Sequence, residues 1–441
     1  MTLPAGDPEA RWLADLVRLL AADPGVVAVR LLGSSARGEA VGAWVDGGWQ
    51  RFSDIELLVV TARRLPWPRQ AALRRRVRAL ADTWGQRSPL FHVDLLLRPR
   101  SRLGDLPPFL FTYELREAGR TLYGPELREA IRVVDLAGLD RRNTREILFK
   151  RLWHLAEALP ADWLRGRPLD DIQARGLAVN LARQPLDLPT ALLPESGVLQ
   201  AGYAAREAAW LAAPPPFSAT LAHWLGSDPA AYLVACRQRR AACEPAPDPL
   251  AAYRAAVAFL VGGLAWLVDR EDPAGSSGAL ARPSTEDLGS EDRLTDQLDH
   301  LAARLPAWSR HLFNEGAVTR GEHLAAWRQG VRLAYSRGPA GACTWWRAPR
   351  KGHLAAGLLR LHAASLGALE GRAAEVAGVL AAARRDLAQA HGDWAPEAAP
   401  ALPADPIEAW LAVRREAARA FWRVARLGTR GAWRELEARL A

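Results

Sequence analysis

The sequence predicts an α+β or α/β N-terminal domain, a mixed sheet with flanking helices, followed by a large all-α C-terminal region. Residues 1–97 alternate helical and strand periodicity. Beyond about residue 108, alanine, leucine and arginine stretches keep helical spacing, with no convincing strand and no fixed-period repeat. At 441 residues, and with about 150 residues per domain as a guide, two or three domains are expected. The spans read as 1–125, then helical 126–245 and 246–441.

Taken in order, Trp12, Leu13, Leu16, Leu19 and Leu20 give residues 8–21 one apolar helix face, which Asp23-Pro24-Gly25 ends. Val26–Leu32 is a short apolar strand stopping at Gly33-Ser34. Residues 38–51 hold four glycines and two tryptophans and read as a loop or hairpin. Ile55–Val60 is a second strand, 69–84 a helix buried through Leu73, Val77 and Leu80, and Phe91–Leu97 a third strand. Helices are expected over 109–119, 143–159, 204–212, 229–242, 248–269, 293–313, 318–336, 352–386 and 406–440. Residues 213–216, 271–292 and 392–405 read as linkers or loops, and a boundary between helical units falls at 241–250.

The net charge of +9 is carried almost wholly by arginine, since Lys150 and Lys351 are the only lysines. Arginine suits phosphate through its planar fork, so the charge permits an NTP or nucleic acid as partner without choosing between them. Cys236, Cys243 and Cys343 form no C-x-x-C pair, which argues against a disulfide framework or zinc site and fits a reducing cytoplasm. No uncharged run of about 18 apolar residues predicts a membrane span, and the first 25 residues lack the layout of a signal peptide.

Three stretches carry chemistry: Leu31-Leu-Gly-Ser-Ser-Ala-Arg-Gly38, Ser53-Asp-Ile-Glu-Leu-Leu-Val-Val60 and Phe91-His-Val-Asp-Leu-Leu-Leu97. Gly33 permits close backbone approach after a strand, free N–H groups at a helix start can hold phosphate, Ser34 and Ser35 add hydroxyl donors, and Arg37 adds charge. Asp54 and Glu56 are two apart, which on a strand puts both on one face and turns Ile55 to the other. Asp94 interrupts an apolar strand, where a lone carboxylate is costly unless paired or bound to metal. Three convergent acids suit two Mg2+ ions on a triphosphate.

This arrangement resembles the polymerase-β-like nucleotidyltransferase superfamily: a hydrophobic-Gly-Ser turn, then Asp-hydrophobic-Asp/Glu, then a third acid on a later strand. The resemblance covers roughly residues 26–97. Gly-Ser-Ser-Ala-Arg-Gly followed by Ser-Asp-Ile-Glu looks most like the kanamycin-type, small-molecule branch. Glu114-Leu-Arg-Glu-Ala-Gly and Leu122-Tyr-Gly-Pro are similar to the segment closing the catalytic domain there. The resemblance implies that Asp54, Glu56 and Asp94 bind Mg2+, and that Gly33, Ser34, Ser35, Arg37 and Ser53 hold the NTP, with ATP expected. It also implies a helical domain over the acceptor. Nineteen residues lie between Ser34 and Asp54, more than the family usually allows, and the extra length holds Trp44, Gly47, Gly48 and Trp49.

An acceptor hydroxyl needs a base. In the resembled enzymes it comes from the helical domain, whose first helix offers Glu146, His154 and Glu157. Glu146 also completes an apparent capping box from Asn143, and Glu157 is a turn-spaced partner of His154. His92 shares a face with Asp94 and either lines the site or lies on the surface. The leading expectation is transfer of AMP from ATP to a hydroxyl of an aminoglycoside-like small molecule, with pyrophosphate leaving. The rivals are a protein or tRNA acceptor, as in toxin–antitoxin nucleotidyltransferases, and a non-catalytic regulatory module. The arginine run at 74–76 is read first as a solvated helix face and second as a nucleic-acid contact.

Overall fold

The computed structural model describes residues 8–271, 292–312, 350–391 and 401–425. The expected helix 318–336, Cys343, residues 426–440 of the last expected helix and most of the 271–292 linker lie outside the described residues. Contact density separates two compact units, each drawn from three stretches of chain. Unit 1 comprises Met1–Thr144, Asp170–Pro215 and Leu233–Pro247. Unit 2 comprises Arg145–Leu169, Pro216–Tyr232 and Asp248–Ala441.

Unit 1 is built on a mixed sheet. Its strands are β1 (Val26–Leu31), β4 (Ile55–Thr61), β5 (Val93–Pro99) and β6 (Arg120–Tyr123), with β2 (Gly42–Val45) and β3 (Gly48–Arg51) forming a separate hairpin. The order is β5-β4-β1-β6; β4 and β5 run parallel, while β1 is antiparallel to both of its neighbours. The parallel pair is joined through α3 (Trp67–Asp82), as a crossover requires. Alternation along the strands decides each face. Val29, Leu31, Ile55, Leu57, Val59 and Leu97 pack under α1 (Pro8–Ala21) and α3, where Leu13, Leu16, Leu20, Leu73 and Val77 meet them. Ala28, Leu58 and Val60 face the other way, against Leu103, Leu106, Leu115, Leu127 and Ile131. The acids share this second face.

β6 corrects the expectation that no strand follows residue 108. It is only four residues long with one strongly apolar side chain, so it carries almost no period-2 signal, and its pairing with β1 supplies the missing order. The remaining helices of unit 1 are α2 (Gly33–Ala36), α4 (Leu110–Glu117), α7 (Asp171–Leu186), α8 (Leu188–Leu192), α9 (Tyr203–Ala212) and most of α11 (Pro229–Ala242). A reciprocal capping box between Asp170 and Gln173 starts α7. Val179 and Ile172 of α7 pack with Val41, Val45 and Phe52 of the hairpin and with Cys243.

Unit 2 is helical. It holds most of α5 (Arg141–Glu157), then α6 (Ala161–Leu164), α10 (Ser218–Leu225), α12 (Pro249–Glu271), α13 (Asp292–Leu312), α14 (Arg350–Leu369), α15 (Ala373–His391) and α16 (Pro406–Ala425). The continuous helix expected over 352–386 is two helices, because Gly371 adopts φ +76° and Arg372 N–H bonds back to Gly367 O at 2.7 Å. That left-handed cap ends a helix whatever the apolar spacing beyond it. The expected Asn143 cap is also corrected. α5 begins at Arg141, and the Asp140 side chain accepts from Asn143 N–H at 3.2 Å, so Asn143 lies inside the first turn. Of the tryptophans expected in cores, Trp153 and Trp210 are fully buried, while Trp163 and Trp224 are half-buried. α12 is long and apolar enough to cross a membrane by length and composition, and 72% of its apolar window is buried within the fold.

Candidate active site

The acids are placed by strand register. Glu56 and Asp94 are direct partners across the parallel pair β4–β5, and Asp54 precedes the strand on the same face as Glu56, with Ile55 turned into the opposite core. Asp54 is buried, whereas the Asp94 side chain is 56% exposed. His92 lines the site: its Nε2 stands 3.3 Å from Asp94 Oδ2 and 3.8 Å from Asp54 Oδ2. Sequence reading left this histidine between the site and the surface.

The Gly-Ser turn sits against Glu56. Gly33 has φ +60°, and a Cβ built on it would fall 1.8 Å from Glu56 Oε2, so only glycine admits the carboxylate there. Leu32 N–H extends the ladder to Glu56 O at 2.8 Å. α2 is a single turn of four residues, so it offers local N–H groups rather than a helix dipole. Ser34 Oγ is buried and makes no hydrogen bond among the described residues. Ser35 Oγ meets the Arg51 guanidinium, and Ser53 Oγ accepts from Val41 N–H at 3.2 Å, which ties Ser53 to the base of the hairpin.

Arg37 is committed elsewhere. Its Nε donates to Glu39 Oε2 at 2.7 Å, its Nη1 lies 3.6 Å from Glu114 Oε2, and its guanidinium stands 5.7 Å from the Tyr203 ring centroid. Arg240 reaches Glu39 O at 2.6 Å and flanks Tyr203 as well. Expected to hold phosphate, Arg37 here ties the turn to Glu114 of α4 and Tyr203 of α9.

Two arginines that no motif marked complete the site. Arg51 is fully buried and pins the approach to Asp54, donating to Ser53 O at 2.8 Å and Asp54 O at 2.9 Å, and pairing with Glu9. Arg183 projects from α7, with Nη2 3.7 Å from Asp54 Oδ2. Its only sequence trace is a charge within an otherwise buried stretch of helix. Burial alone would raise the Asp54 carboxyl, but Arg183, then His92 and Arg51, hold it well below the usual carboxylate range. Burial, reinforced by the charge of Asp54, pushes Glu56 up to about 7 against the pull of Arg183. Burial opposes the Arg183 charge, yet Asp54 above all keeps it fully protonated.

Among the described residues, no three His, Cys, Asp or Glu side chains stand together in ready metal-holding geometry. The donor chemistry nonetheless fits a hard divalent cation. Asp54, Glu56 and Asp94 offer carboxylate oxygens on one face, the hard donors that such a cation takes.

The base candidates lie in unit 2. Glu146 is buried between the only two lysines, paired to Lys351 Nζ, with Lys150 Nζ at 3.6 Å. Glu157 Oε2 lies 3.1 Å from His154 Nδ1. Neither a scan against protein-family models nor a search of curated proteins finds a match for this chain.

Proposed function

We propose that unit 1 is a nucleotidyltransferase, moving a nucleoside monophosphate from an NTP, ATP first, to a hydroxyl of a small-molecule acceptor with release of pyrophosphate. The observation that carries this reading is the in-register pair Glu56–Asp94, with Asp54 beside it, beneath a positive-φ glycine turn whose buried Ser34 hydroxyl has no partner among the described residues. Asp54, Glu56 and Asp94 would hold Mg2+, which when bound supplies charge neutralisation for the triphosphate. Gly33 and Ser34 line the phosphate side, while Arg51 fixes the backbone that aims Asp54. The expected base candidates are engaged within unit 2, Glu146 with Lys351 and Lys150 and Glu157 with His154.

The test is direct. The protein is incubated with Mg2+, each labelled NTP, and pools of aminoglycosides, tRNA and proteins. Pyrophosphate release that disappears in Asp54→Asn supports the reading. No binding and no transfer with any NTP would sink it.

A macromolecular acceptor is the second reading, favoured by an arginine-rich edge. β5 is an edge strand, and Arg75, Arg76 and Arg78 of α3 together with Arg98 and Arg100 are exposed along that side of the sheet. RNA binding that weakens steeply with salt and is lost in Arg75→Glu/Arg76→Glu would support this acceptor; label appearing only on small molecules would exclude it.

A further inference from the structure

The cations around the acid site are unequally committed. Arg37 is matched by Glu39 and Glu114, Arg51 by Ser35, Ser53 O, Asp54 O and Glu9, and Arg240 donates to Glu39 O. Arg183 differs. Among the described residues its one ion pair is the 3.7 Å approach to Asp54, it makes no hydrogen bond, and its Nε is buried without an acceptor. Nε is one of a guanidinium's five N–H donors, and leaving it buried without an acceptor carries a cost that a matching anion near the fork relieves. The nearby Ser34 turn presents a second buried donor without a partner, its Oγ. The local fold is firm. Arg183 is carried on α7, which is buried on nearly every other side, and the packing of Val179 and Ile172 against the hairpin core holds α7 in place.

We propose that Arg183 is a phosphate-binding residue of this site, taking the oxygens of a nucleoside triphosphate on its planar fork. The proposal rests on the nucleotidyltransferase reading and deepens it by assigning the anion clamp to α7 rather than to Arg37. In the free protein Arg183 leans on Asp54 as a stand-in anion, at ion-pair distance but without a hydrogen bond. A triphosphate offers paired oxygens that match the fork bidentately, which a single Asp54 oxygen at this distance does not. The fork leaves Lys a poor replacement, since an ammonium keeps the charge and loses the paired geometry.

The full-length chain is titrated with inorganic tripolyphosphate and with MgATP, for wild type, Arg183→Gln and Arg183→Lys, and melting of the free proteins is followed in parallel. Wild type is expected to bind both probes. Arg183→Gln is expected to weaken both at least tenfold and to lose the thermal stabilisation that tripolyphosphate confers. Arg183→Lys is expected to fall between the two, and it carries the test if the Gln variant does not fold. Wild-type affinity in a folded variant overturns the role of Arg183 and leaves the nucleotidyltransferase reading standing. Failure of wild type to bind either probe overturns both.

Discussion

Gly33 has φ +60°, and a Cβ placed there would meet Glu56 Oε2 at 1.8 Å. Gly33→Ala therefore combines left-handed strain of about 1–2 kcal/mol with displacement of an acid. Its expected outcome is a drop in urea midpoint together with loss of nucleotide binding. Glu56 gives a second residue-scale prediction. Its folded pKa, about 7, is raised above its ordinary value of 4.5, so its contribution to stability is fully present below about 4.5 and is lost as pH rises through about 7. Metal-free protein should thus lose stability between those values. Glu56→Gln should flatten the loss, and added Mg2+ at pH 8 should restore stability to wild type but not to the variant. An unchanged profile in Glu56→Gln would contradict the assignment of burial as the cause. The acids were legible in the sequence because a spacing of two on a strand is a local rule. Arg183 and Arg51 were not, because a charge on a helix or a hairpin strand looks the same in sequence whether it faces solvent or a carboxylate.

At the scale of elements, glycines separate backbone strain from steric contact. Asp46 and Gly47, at φ 51° and 76°, form the two-residue turn of the β2–β3 hairpin, in the primed geometry that Asp-Gly favours. A Cβ on Gly47 meets nothing within 4 Å, so Gly47→Ala should cost only the conformational strain, about 1 kcal/mol. Gly124, at φ +77°, ends β6, and there a Cβ would lie 2.1 Å from Val27 O. Gly124→Ala should cost clearly more and free the amides of β6, which hydrogen exchange would register as lost protection over 120–123. Equal costs for the two substitutions would refute this division. The hairpin was one of two readings of 38–51, and Asp46-Gly47 with flanking tryptophans supports it locally. β6 escaped because an edge strand of four residues acquires its structure from β1.

At the scale of the whole molecule, unit 2 contains a buried polar chain that ties distant helices. His362 Nε2 donates to Leu152 O at 2.9 Å, which leaves Nδ1 to accept from Tyr253 Oη–H at 2.6 Å. Trp410 Nε1–H donates to Ser365 Oγ at 2.9 Å. Burial lowers His362 from 6.5 to about 4, with the Leu152 bond opposing. A depressed histidine contributes stability above its unfolded pKa that is lost as pH falls through the folded one. Urea unfolding should therefore weaken from pH 6.5 to 4, by about 3 kcal/mol at most. His362→Asn, less stable overall, should lose that slope. A slope unchanged in the variant would place the acid sensitivity elsewhere.

What the sequence by itself determined was local: the alternation of helix and strand before residue 97, the helical run that follows, and the spacing that puts Asp54 and Glu56 on one strand face. Side-chain periodicity is a property of neighbouring residues, so it can be read along the chain. The tertiary structure decided which charges meet. It set Asp94 opposite Glu56, turned His92 toward both aspartates, committed Arg37 to Glu39 and Glu114, and brought Arg183 to Asp54 from well over a hundred residues away. Electrostatic partners follow distance in space, and strand register and helix packing alone fix that distance.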